Sequence, residues 1–148
     1  NDIQALDVLR LLRDGTVAYL IKDANDNLEK VRDDKLKPYV ERVNQGIQAL
    51  TESLLEINRI PDKTVKREVA EINAAQISMD LITIYEASLM LEEAKHLIDT
   101  EKDWRKAVMA MRYVDANVLT VGKKIDFERK ARVYFPSIVQ GERLVSLN

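Results

Sequence analysis

Apolar residues recur at alternating steps of three and four residues through four successive segments of this 148-residue chain. Each stripe lies on one face of an α-helix, because three and four residues both return close to one full turn. The stripes run from Val17 to Val31, from Val40 to Ile57, from Val65 to Leu97 and from Trp104 to Ile125. Amphipathic helices with short connections are typical of antiparallel bundles. We therefore predict an all-α fold, an antiparallel four-helix-type bundle with a short irregular or helical C-terminal tail.

Turn signals separate the predicted helices. Gly15 predicts a break between an upstream stripe in residues 3–12 and the first helix. Pro38 suits the first turn of the second helix, and Thr100 is expected to be the N-cap of the fourth, with acidic residues following it. A chain of this length is expected to form one domain over residues 1–148.

The third predicted helix is apolar on more than one face. Beside the stripe through Met79 and Ile82, it carries Ile77, Ile84 and Leu91 on other faces. A helix that is apolar on several sides is buried on several sides. We expect this helix to be the central element, contacting neighbouring helices or a partner on two flanks.

Composition excludes several classes of function. The chain has no cysteine, which removes a thiolate nucleophile and any cysteine-based zinc or iron–sulfur site. Its net charge of −2 comes from interspersed acids and bases, so nucleic acid is not an expected partner. The most apolar window, residues 77–91, is interrupted by Asp80 and Glu86 and predicts no transmembrane segment. With isolated glycines and no serine-nucleophile motif, we expect no enzymatic activity and no cofactor.

One spacing is typical of metal sites in helical bundles. Glu93 and His96 form a Glu-x-x-His pair, which places a carboxylate and an imidazole on adjacent turns of one helix. A di-iron site needs this motif on two helices, and His96 is the only histidine in the chain. We therefore predict no metal site, and these two residues are the ones to examine if a metal is found.

A basic segment interleaved with aromatic residues follows the fourth stripe. Its positive residues are Lys123, Lys124, Arg129, Lys130 and Arg132. These side chains are candidates for binding an anionic partner, either single-stranded nucleic acid or an anionic membrane surface. Because the rest of the chain offsets their charge, the preferred interpretation is a packed tail with a solvated edge.

Sulfur-containing and aromatic residues cluster around the third and fourth helices. The candidate partner-binding residues are Met90, Trp104, Met111 and Tyr113. Such side chains can form an adaptable surface for a partner helix or an apolar ligand, although they also serve as core. We predict a non-enzymatic bundle that acts by protein–protein interaction or self-association. The alternative is a bundle that binds or senses a small molecule.

Two stretches, residues 11–28 and 89–118, resemble the paired helices of bacterial YfdX-like proteins in their alanine-rich helices and short charged or glycine-containing turns. The resemblance covers about a third of the chain. It implies an exported, all-helical, stress-associated protein, and it carries over no functional residues. A start at Asn1 fits either a trimmed chain or a mature protein whose signal peptide has been removed, so the compartment is left open with a preference for export.

Overall fold

A computed structural model describes residues 15–127 of the chain. Within that range it contains four α-helices: α1 (Thr16–Glu29), α2 (Lys37–Asn58), α3 (Lys63–Glu101) and α4 (Arg105–Asn117). No β-strand occurs among the described residues. The predicted all-α four-helix bundle is confirmed, whereas the predicted upstream stripe and most of the predicted tail lie outside the described residues.

Side-chain contacts give the direction of each helix. Asn27 Nδ2 lies 3.3 Å from Ser88 Oγ, and Lys30 Nζ lies 3.4 Å from Glu92 Oε1, so α1 and α3 run in parallel. Tyr113 pairs with Glu86 and Lys106 pairs with Glu93, so α4 runs antiparallel to α3. Helix α2 runs alongside α4, because Arg42 pairs with Asp115 and Ser53 with Gly122. Consecutive helices are therefore antiparallel.

Helix α3 is the centre of the molecule, as its apolar pattern predicted. It has 39 residues, about 58 Å at 1.5 Å per residue, and it contacts all three other helices. Helices α1 and α4 do not contact each other, so they flank α3 on opposite sides. The largest fully buried side chains come from α2, α3, α4 and the segments before α2 and after α4: Leu36, Val43, Leu50, Ile57, Val69, Ile77, Ile84, Leu91, Val114, Val118 and Val121.

The turn between α3 and α4 differs from the prediction for Thr100. Helix α3 continues to Glu101, and the Thr100 hydroxyl donates to the carbonyl of His96 one turn back. The reversal is instead made by Lys102, whose φ of 55° lies in the left-handed region. Asp103 then accepts a hydrogen bond from the backbone N–H of Arg105 at 2.9 Å, at the start of α4. Thr100 as an N-cap was therefore wrong, because α3 extends past it.

Helix α4 is shorter than the predicted stripe. It ends at Asn117, and residues 118–123 form turns although Val118 and Val121 remain buried. The apolar period thus continues beyond the last helical hydrogen bond. Residues 118–127, here called the docked segment, are held by side chains of α2 and α3 instead of by their own helix.

The helices of the described residues include none that is long and apolar enough to cross a bilayer.

Candidate functional site

An exposed stripe runs along α3 on the side opposite its buried residues. We call it the outer stripe, and its members recur every three or four residues: Thr64, Arg67, Glu71, Ala75, Met79, Ile82, Glu86, Leu89, Glu93 and His96. Met79 is 63% exposed and Ile82 is 56% exposed, large fractions for side chains of this size and polarity. Isolated exposed apolar residues are ordinary, whereas several on one helix face mark an interaction surface.

The outer stripe contains residues that the sequence grouped with the core. Of the apolar residues predicted for the third helix, the structure buries Ile77, Ile84 and Leu91 and exposes Met79 and Ile82, whereas Val69, near the start of the stripe through Met79, is buried. The small residues Ala87 and Ala94 lie on the buried side, where they let neighbouring helices approach closely. Hydrophobicity alone gave no signal for which stripe of α3 faces inward.

Helix α4 extends the apolar surface beside the outer stripe. Lys106 and Tyr113 of α4 contact Glu93 and Glu86 of the stripe. Met109, which is exposed, lies on the intervening turn of α4 between those two contacts. The exposed apolar surface therefore spans two helices.

The four predicted partner-binding residues are all half-buried. Met90, Trp104, Met111 and Tyr113 pack against the core from its edge. The Lys35 ammonium lies 5.0 Å from the centroid of the Trp104 ring, within the range of a cation–π contact. A role in partner binding stays a prediction for these residues, and their contacts give each of them a role in packing.

The Tyr113 hydroxyl is already engaged within the chain. It donates a hydrogen bond of 2.8 Å to Glu86 Oε2. Burial raises the pKa of this phenol above its ordinary value, and the bond to the Glu86 carboxylate raises it further. Tyr113 is therefore a neutral donor that fixes α4 against α3.

Three buried polar side chains, which we call the polar clamp, hold the docked segment: Ser53, Asn73 and Asp80. The Ser53 hydroxyl donates to the Gly122 carbonyl at 2.8 Å, and the Gly122 N–H donates to Asp80 Oδ2 at 2.9 Å. The other Asp80 oxygen accepts from Gln76 Nε2 at 2.8 Å, although Asp80 is only 4% exposed. These contacts satisfy backbone groups that have no helical partner.

Glycine is required where the docked segment crosses α2. A Cβ atom on Gly122 would lie 2.5 Å from backbone atoms of Ala49 and Leu50, and the φ of Gly122 is +76°. On α2 itself, a Cβ atom on Gly46 would approach a Val118 methyl to 3.2 Å. The local sequence around each glycine does not reveal this contact, because Gly46 and Gly122 are far apart in the chain.

The predicted anion-binding residues are only partly within the described range. Lys123 and Lys124 are exposed directly after Gly122, so the polar clamp fixes where they leave the bundle. Arg129, Lys130 and Arg132 lie outside the described residues. Binding of an anion by this segment stays a prediction.

Glu93 and His96 both lie on the outer stripe and are exposed. The Glu93 carboxylate pairs with the Lys106 ammonium. Within residues 15–127, no three side chains of the histidine, cysteine, aspartate and glutamate types converge as metal ligands. The contacts of Glu93 therefore connect α3 to α4.

An open apolar groove of about 210 Å³ lies between the start of α1 and the end of α2. Its lining consists of Val17, Ala18, Ile21, Thr51, Leu54, Leu55 and Asn58. Contact between α1 and α2 is slight compared with the contact each makes to α3, which leaves this groove open.

A family model for acyl-CoA dehydrogenase 11 C-terminal domain-like sequences matches residues 16–134. The chain belongs to that family. The match covers all four helices and the docked segment, so the acyl-CoA dehydrogenase 11 C-terminal domain-like family is defined over the whole described bundle. It gives no support to the YfdX-like resemblance, but it agrees with it in indicating a helical family. No curated protein and no solved structure matches this chain.

Proposed function

We propose that this member of the acyl-CoA dehydrogenase 11 C-terminal domain-like family is a non-enzymatic interaction domain that binds a helical protein partner through the outer stripe of α3. The exposure of Met79 and Ile82 on one helix face carries the proposal. When a partner covers such side chains, the apolar surface removed from water contributes about 25 cal/mol of binding free energy per Å². Burial of this kind is the usual source of affinity between helices.

The chemistry of the described residues supports binding over catalysis. Buried polar side chains at Ser53, Asn73 and Asp80 all serve backbone groups of the docked segment or their own helix. Exposed acids on the outer stripe are paired with Lys106 and Tyr113. The family description names a C-terminal domain, a part of a larger protein, and such a part commonly works through contact with other domains or chains.

A matched set of variants tests the proposal on the 148-residue chain. Ile82→Lys places a charge in the outer stripe, whereas Leu119→Lys places one on a comparably exposed side chain, 58% against 56%, after α4. Complexes isolated from cells are compared by native mass spectrometry and quantitative pull-down. We expect Ile82→Lys to lower the yield of complex about tenfold and Leu119→Lys to leave it unchanged. Equal yields from both folded variants and the parent chain would refute the proposal.

A small-molecule-binding bundle is the second candidate, favoured by the apolar groove between α1 and α2. The lining of the groove combines aliphatic side chains with two polar side chains, Thr51 and Asn58. A ligand present at 100 times its dissociation constant would stabilise the fold by about 2.7 kcal/mol. Thermal unfolding against a panel of apolar metabolites tests this candidate, and Leu55→Lys, at an exposed lining residue, should abolish any stabilisation that arises in the groove.

The exported, stress-associated role implied by the YfdX-like resemblance is a separate prediction. Cell fractionation with an antibody to the chain would test it, because an exported protein is found outside the cytoplasmic fraction.

A further inference from the structure

We infer that the partner of the outer stripe is a second copy of this chain, with the two α3 helices packed antiparallel about a twofold axis near residue 80. This inference rests on the proposed function and names the occupant of the same surface. A twofold contact requires a surface that is complementary to itself.

The spacing of the outer stripe meets that requirement. In an antiparallel pair, residues face each other when their numbers have a constant sum. Stripe residues pair at sums of 160 or 161: Thr64 with His96, Arg67 with Glu93, Glu71 with Leu89, Ala75 with Glu86, and Met79 with Ile82. The two most exposed apolar residues of the stripe thus meet at the axis, and the small Ala75 lies next to them.

The charges of the stripe favour the antiparallel orientation. Arg67 lies toward the N-terminal end and Glu93, which also pairs with Lys106 of its own chain, toward the C-terminal end, so an antiparallel pair brings opposite charges close together twice. A parallel pair would instead place Arg67 on Arg67 and Glu93 on Glu93, which is repulsive. Arg67 uses its Nε to pair with Glu71 at 3.2 Å, and its planar guanidinium carries further donors for a second carboxylate.

Single cysteines give a direct test of this geometry, because the chain has no cysteine of its own. Thr64 and His96 are exposed and lie outside the charge pairs, so Thr64→Cys and His96→Cys leave Arg67 and Glu93 intact. In the proposed dimer these positions face each other, whereas two copies of residue 64 lie about 48 Å apart at 1.5 Å per residue. A mixture of the two variants is oxidised and its disulfide-linked dimers are identified by mass spectrometry.

We expect the Thr64→Cys/His96→Cys heterodimer to dominate over either homodimer. Predominant Thr64→Cys homodimer would show a parallel pair and overturn the inference. Sedimentation of the parent chain as a monomer would also overturn it, while an Ile82-dependent complex with a different protein would leave the proposed function standing.

Charge reversal provides a second readout. Arg67→Glu is expected to weaken the dimer about tenfold, and Arg67→Glu combined with Glu93→Arg to restore it. Lys22→Glu is the matched control, because Lys22 forms a similar exposed i,i+4 pair with Asp26 on α1. Equal weakening by Lys22→Glu, or no restoration in a folded double variant, would contradict the proposed pairing.

Discussion

Asn73 and Asp126 are joined by a reciprocal pair of hydrogen bonds. Asn73 Oδ1 accepts from the Asp126 backbone N–H at 2.7 Å, and Asn73 Nδ2 donates to the Asp126 carbonyl at 3.1 Å. Asn73 is only 3% exposed, and its amide also donates to the carbonyl of Val69 within α3. The Asn73 side chain thus provides the hydrogen bonds that the Asp126 backbone would make within a regular helix or sheet.

Replacing Asn73 with alanine should lower the free energy of unfolding by about 2 kcal/mol, because both Asp126 backbone groups lose a partner. Urea unfolding measures this change, and amide hydrogen exchange should show faster exchange at Asp126. Asn44→Ala, at an exposed position of α2, is the control and should stay within about 0.5 kcal/mol of the parent. Equal stability of the two variants would show that the pair contributes nothing.

Alanine substitutions at two glycines with nearly the same φ angle distinguish the cost of backbone strain from the cost of steric overlap. Gly15 and Gly122 have φ values of 77° and 76°, but a Cβ atom on Gly15 meets nothing within 4 Å. Gly15→Ala should therefore cost about 1 kcal/mol, the penalty of the left-handed conformation alone. Gly122→Ala should cost about 3 kcal/mol or more, because the new atom overlaps the backbone of α2. Thermal and urea unfolding compare the two, and similar losses would contradict the close approach.

The pKa of Asp103 should be low and should depend on Arg105. The Arg105 guanidinium and its backbone N–H both donate to this carboxylate and lower its pKa from 3.8 to about 2. Since the folded-state pKa is the lower one, the contribution of the pair to stability is present above pH 4 and is lost as the pH falls toward 2. NMR titration measures the value, and Arg105→Ala should move it back toward 3.8. An unchanged pKa in that variant would assign the shift to another cause.

Truncation of Trp104 should affect the stability of the fold, whereas truncation of Met79 should affect association. Trp104 packs on the core beneath Lys35, so Trp104→Ala should lower the free energy of unfolding by about 2 kcal/mol. Met79 is mostly exposed, so Met79→Ala should change the stability of the monomer by less than about 0.5 kcal/mol while weakening association. Calorimetry under dilute conditions and sedimentation at high concentration separate the two effects. The reverse pattern would move the interaction surface to Trp104.

Local sequence pattern was sufficient for the helices themselves. The 3–4 spacing of Val43, Ile47, Leu50, Leu54 and Ile57 identifies one buried face of α2. Every member of the stripe is apolar, and the opposite face is mostly polar or charged. The second predicted stripe reaches Ile57, and α2 ends at the next residue, Asn58. The spacing of apolar residues within one or two helical turns can be read from the sequence without knowledge of the tertiary structure.

The inward face of α3 could be decided only by tertiary structure. Its stripes through Ile77 and through Met79 are both apolar, and hydrophobicity alone does not rank them. Packing buries the first together with the small side chains Ala87 and Ala94. The interaction surface follows from that choice, since the stripe left over is the one exposed to a partner.

The sequence by itself determined the all-helical fold, the order of the helices and the absence of cysteine chemistry. The tertiary structure decided how the chain after α4 is held, because Ser53, Asn73 and Asp80 lie 40 or more residues from the docked-segment backbone groups that they bind. In the sequence, Asp80 only interrupts an apolar window. In the folded protein, its buried carboxylate accepts a hydrogen bond from the Gly122 N–H. Contacts between distant residues depend on how the helices pack, and no local pattern records them.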